Sequence, residues 1–127
     1  MATTLDLAEI GTLLGPPTDL MVRRDGDRDL TFEGWVIGDG KQTTNARRTI
    51  HVVIYATVSG KFVTEVRRSH GGTGVQYAAA VHGRADYALA WLKADNDGQL
   101  GTASKDSWEQ ACQAFPPLQE FLTERID

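Results

Sequence analysis

Between residues 47 and 70 the chain reads RRTIHVVIYATVSGKFVTEVRRSH, and within it Ile50, Val52, Ile54, Ala56 and Val58 alternate with Thr49, His51, Val53, Tyr55 and Thr57. A period of two, carried largely by β-branched residues, is the pattern of a strand with one face on a core. Ser59 and Gly60 interrupt it, and a second run follows. A connection of three residues keeps even positions opposite even ones, so that Phe62 and Val66 join the same core face. A two-residue turn would bring Lys61, Glu65 and Arg67 there instead, and the cost of burying three charges excludes it. The segment therefore predicts a hairpin with its even positions inward. Arg47, His51, Tyr55, Lys61, Glu65 and Arg67 then share the outward surface, while Arg48 and Arg68 reach water at the open end.

Helical spacing of Leu7, Ile10 and Leu14, with Asp6 and Glu9 as a capping box, predicts a short helix ended by Gly15, Pro16 and Pro17. Residues 20–24 read as a short strand and LTFEGWVIGDG as a longer one, in which Gly34 marks a bulge or a close backbone approach. DGKQTTNA, residues 39–46, is polar and reads as a loop. VQYAAAVH is the last strand, its small side chains allowing a helix to lie close. Three helices follow: one burying Ala85, Ala88, Leu89 and Leu92; one with Ser107 and Gln110 as a capping box and Trp108, Ala111, Cys112 and Phe115 inward; and one opened by Pro117, with Leu118, Phe121, Leu122 and Ile126 inward. The expectation is an α+β fold: a short N-terminal helix, about four mostly antiparallel strands, and three C-terminal helices packing on one sheet face. A chain of 127 residues fits one such domain, residues 1–127.

Charge is unevenly placed. Residues 1–40 hold 8 acids and 3 bases, residues 41–93 hold 8 bases and 2 acids, and residues 94–127 hold 7 acids and 2 bases. A basic middle between acidic flanks either faces an acidic partner or is neutralised by the flanks within the monomer. No apolar run approaches the length of a membrane span, and the first residues lack the basic front and apolar stretch of a secretory signal. The expected location is cytoplasmic, without membrane contact. A single cysteine, Cys112, allows neither an internal disulfide nor a zinc cluster of its own.

Short motifs offer little chemistry. DNDG, residues 95–98, would put Lys93 and Ser104 where a calcium loop needs carboxylates, and it reads as a helix-ending turn. HGGTG, residues 70–74, has no nucleophile elbow to serve and reads as a turn. His51, His70 and His82 lack metal-ligand spacing. No cofactor or metal site is expected.

VIYATVSGKFVTEV resembles the strand, Gly-Lys turn and strand of the EXLDI family of small proteins, and the closing ERID is similar to that family's terminal Glu-x-Leu-Asp-Ile, with Ile126 in place of the leucine and the last isoleucine missing. The likeness covers about a third of the chain. It implies no catalytic residues, but an association with plasmids, phages and other mobile elements.

One constellation remains, the hairpin's odd face. As a partner-binding surface it combines Arg47, His51, Tyr55, Lys61, Glu65 and Arg67, and the leading expectation is a non-enzymatic accessory module binding a protein with an acidic patch. The resemblance adds that such a factor inhibits or tunes a host defence or nucleic-acid machinery. Two alternatives use the same face: a nucleic-acid-binding hairpin with Tyr55 stacking on bases, and a metal-independent ribonuclease with Glu65 as base, His51 as acid and Arg67 on phosphate.

Overall fold

The computed structural model describes residues 7–44, 47–71 and 74–122, with side chains from Ile10 onward. Helix α1 (Leu7–Leu14) leads into strands β1 (Thr18–Val22), β2 (Leu30–Thr43), β3 (Arg48–Thr57), β4 (Phe62–His70) and β5 (Val75–His82), followed by α2 (Ala85–Ala94), α3 (Thr102–Ala114) and a 3-10 helix, Pro116–Phe121. The five strands form one antiparallel meander in sequence order. The α+β class stands, with five strands where about four were expected; Asp6 and Ile126 lie outside the described residues.

The hairpin has the register that charge burial demands. Ala56 faces Phe62, Ile54 faces Thr64 and Val52 faces Val66, so even positions oppose even positions. Val58, Ser59 and Gly60 make the three-residue connection, with the Thr57 N–H donating to the Lys61 carbonyl at 2.9 Å and Gly60 at φ +84°. Such a φ suits glycine, which has no Cβ to clash. Val58 belongs to this turn and is exposed, not in the core as the alternation predicted.

Ile54, Ala56, Phe62 and Val66 meet Ala88, Leu92, Trp108, Ala111, Phe115 and Leu118 in the main core, so α2, α3 and the 3-10 helix do cover one sheet face. Ile10 of α1 joins it. Of the tryptophans, Trp35 and Trp108 are buried there and half-buried Trp91 packs against it. They belong to the fold.

The closest approach of helix to sheet is on β2, not on the alanines of β5. A Cβ at Gly38 would lie 2.1 Å from the Ser107 carbonyl oxygen, and one at Gly40 would lie 2.1 Å from that of Ala103. These two glycines form the flat seat of α3. That helix starts at Thr102, capped by Gly101 without a side-chain bond, so Ser107 is an interior residue rather than a cap.

Residues 39–43 continue β2 instead of forming a loop, because a bulge between Val36 and Gly38 resets the alternation. Beyond it Gly38, Gly40 and Gln42 oppose the inward Ile54, Val52 and Ile50, which turns Asp39 and Lys41 to the other face.

That other face is not a solvated surface. The Asp25 N–H donates to the Tyr77 carbonyl at 3.0 Å, the Tyr77 N–H donates to the Asp25 carboxylate at 2.8 Å, and the Arg23 guanidinium lies 4.9 Å from the Tyr77 ring centroid. The segment after β1 thus reaches the opposite edge strand, and the sheet curls. Inside the curl Val22, Val53, Tyr55 and Val63 form a second core, flanked by Leu20, Leu30, Phe32 and Ala79.

Candidate functional site

The odd positions of β3 and β4 line the inside of the curl, apolar toward the turn and polar toward the open end. Tyr55 and Glu65, expected outward, are 6 % and 3 % exposed. The Tyr55 hydroxyl donates to Glu65 Oε1 at 2.8 Å, and Arg67 Nη2 donates to the same oxygen at 3.1 Å. A carboxylate receiving two donors is what allows a glutamate to be buried beside apolar neighbours. Burial, followed by the bond to Glu65, pushes the Tyr55 hydroxyl well above the ordinary tyrosine range. The bond to Glu65 likewise raises the Arg67 guanidinium. Among the described residues Arg67 Nε is itself buried without a partner.

One cross-strand step toward the open end, His51 stands opposite Arg67 and Lys41 stands opposite His51. His51 Nε2 pairs with the Asp39 carboxylate. Lys41, Thr49, His51, Arg67, Ser69 and Val75 line an open depression of about 160 Å³. Its chemistry is that of an anion receiver: two permanent cations, an imidazole and two hydroxyls, with the neighbouring carboxylates of Asp39 and Glu65 already engaged by His51 and by Tyr55 with Arg67.

Of the six residues read from the sequence, the fold brings four together: His51, Tyr55, Glu65 and Arg67. It separates Lys61, which lies at the hairpin turn and borders a different groove with Leu30, Phe32, Val63 and Val81. Arg47 precedes β3, at φ +60°, so strand alternation does not govern it; its carbonyl accepts from the Gly71 N–H at 3.2 Å. Arg68 keeps a partly exposed side chain, but its Nη2 donates to the Asp95 carbonyl at 3.1 Å and to Asp95 Oδ2 at 2.5 Å. Part of the basic middle is therefore neutralised by an acidic flank.

The residues missed were Asp39 and Lys41, assigned to a loop. The glycines at 38 and 40, spaced by two, are the signal that could have placed them on a strand. Glu65, the base read for the ribonuclease alternative, is buried rather than open to a substrate. Glu65 is sealed beneath Arg67 and Tyr55, and the carboxylate within reach of solvent beside His51 is Asp39, whose side chain is 54 % exposed.

Elsewhere, His82 Nε2 and Thr64 Oγ1 are 2.8 Å apart under α2, and burial lowers the His82 imidazole. Cys112 is buried, and that burial, with Glu109 nearby, pushes its thiol up. Among the described residues no group of three or more His, Cys, Asp or Glu side chains converges as a metal site. No described helix is long and apolar enough to cross a membrane. Comparison with models of protein families, with curated proteins and with solved structures finds no match to this chain.

Proposed function

We propose that the protein is a non-enzymatic binding module that seats an acidic segment of a partner protein at the open end of β2, β3 and β4. The observation that supports this reading is the depression itself, where Lys41, His51 and Arg67 converge with the hydroxyls of Thr49 and Ser69. Carboxylates of a partner would meet N–H and O–H donors there in charge-assisted bonds, which are shorter and stronger than neutral ones. Its volume of about 160 Å³ is below the roughly 300–1,000 Å³ of small-molecule pockets, which favours a contact made by one side chain within a broader interface. The idea of a mobile-element factor acting on host machinery rests on the EXLDI resemblance alone.

The test is affinity capture from the native host with and without nuclease, using the wild type and the double variant Lys41→Ala with His51→Ala. Arg67 is left in place because it holds Glu65. Capture of a protein that survives nuclease and drops about tenfold in the variant, the loss of one charge-assisted contact or more, supports the reading. Recovery of nucleic acid removed by nuclease, or unchanged capture by the variant, overturns it.

A further inference from the structure

We propose that the cavity at the N-terminus of α3, on the helical side of the sheet, binds the phosphate group of a small anion. Gln42, Arg68, Asp95, Thr102, Ala103 and Ser104 contribute to its walls, and its volume is about 60 Å³. A water needs about 10–15 Å³ of such space, so several waters or one tetrahedral oxyanion fit, and a whole nucleotide does not.

Three features converge on it. The first backbone bond of α3 runs from the Lys105 N–H to the Gly101 carbonyl, which leaves the N–H groups of Thr102, Ala103 and Ser104 without an acceptor among the described residues. These are the positive end of a helix of 13 residues, and oriented N–H groups there favour an anion.

Ser104 is 6 % exposed, yet its hydroxyl has no hydrogen-bond partner among the described residues. Unlike Ser107 Oγ, which is sealed, it is open to the cavity that Ser104 lines. A hydroxyl open to the cavity can donate to an oxyanion placed there.

Arg68 is the third feature. Its Nη2 is committed to Asp95, and its remaining N–H groups have no acceptor among the described residues. Asp95 places a carboxylate beside the same space and sets the affinity low, so its charge is the handle by which the site can be tested.

The experiment follows backbone amides of the ¹⁵N-labelled full chain by NMR while inorganic phosphate, or separately O-phosphoserine, is added at constant ionic strength. Saturable shifts at Thr102, Ala103 and Ser104 are the result expected. Asp95→Asn should tighten binding about tenfold by removing a like charge, and Ser104→Ala should weaken it several-fold by removing a donor. Binding of phosphate alone marks a site for the free ion; binding of both marks one for a phosphate carried on a larger molecule. The Lys41→Ala, His51→Ala variant, altered on the opposite face, should bind phosphate as the wild type does. Absence of saturable shifts at these three amides in both wild type and Asp95→Asn overturns the proposal, as does equal affinity in Ser104→Ala, Asp95→Asn and wild type.

Discussion

The hydroxyl of Tyr55 donates to Glu65 Oε1 at 2.8 Å across the β3–β4 hairpin, and both residues are buried inside the curl of the sheet. The two are not equivalent. Tyr55→Phe removes one donor and leaves Glu65 bonded to Arg67, a loss of about 1 kcal/mol for one hydrogen bond. Glu65→Ala leaves the Tyr55 hydroxyl and the Arg67 head without their shared acceptor and opens a cavity besides, a loss of about 3 kcal/mol or more. Urea unfolding of the two variants measures the difference. Equal losses would mean that Glu65 is solvated and that the curl is open.

Both faces of the hairpin are packed, so its polar positions are not automatically tolerant. Ile54→Asp should unfold the protein, since an unpaired charge in the main core costs several kcal/mol. Thr57 falls at an odd position, yet it is 5 % exposed, its hydroxyl lies 2.9 Å from Ser59 Oγ, and it accepts from the Lys61 N–H at 3.0 Å. Thr57→Asp should therefore lower stability by about 1–3 kcal/mol. Val58→Asp, in the exposed turn, should stay within about 0.5 kcal/mol of wild type. Thermal midpoints ordered otherwise would contradict the face assignment.

Gly38 and Gly40 set the distance between α3 and the sheet. Alanine at either position puts a methyl group about 2.1 Å from a carbonyl oxygen of α3, and neither backbone can yield without undocking the helix. Each substitution should cost about 3 kcal/mol or more, at or beyond the upper end of overpacking effects. Gly83→Ala is the control: a Cβ there meets nothing within 4 Å and the φ is not positive, so the change should be neutral or stabilising by up to about 1 kcal/mol. Calorimetry of the three variants checks this. A Gly40→Ala protein as stable as Gly83→Ala would show that α3 rides higher than described.

These glycines also explain what could be read from the chain and what could not. Period two at 50–56 and the charges of Lys61, Glu65 and Arg67 fix the hairpin register because a wrong register buries charge. Helical stripes such as Ala88, Leu89 and Leu92 identify their helix for the same reason. Glycine carries no hydropathy, so Gly38 and Gly40 hid the second half of β2, and the bulge after Val36 reversed its parity. Asp39 and Lys41 were lost to the site with it. The curl depends on Asp25 meeting Tyr77, 52 residues later, a contact that leaves no local pattern. Tyr55 and Glu65 were consequently legible as neighbours on one face, but not as buried ones.

The last prediction concerns acid. His82 is 8 % exposed, lies against the Trp91 ring at 5.9 Å between centroids, and has Thr64 Oγ1 2.8 Å from its Nε2. Burial lowers its imidazole below the ordinary 6.5, so the folded protein holds it neutral where the unfolded chain would take up a proton. Because the unfolded state binds the extra proton, stability falls as pH drops below about 6.5 and stops falling from this source once the lowered folded value is passed. Above about 7 the residue contributes no slope. The chain holds two further histidines, so the informative quantity is a difference between proteins rather than one curve. His82→Gln keeps a group able to bond Thr64 and removes the titration; its unfolding free energy should decline less than that of wild type between about pH 7 and 5. Parallel curves for the two proteins would show that His82 is protonated equally in the folded and unfolded states.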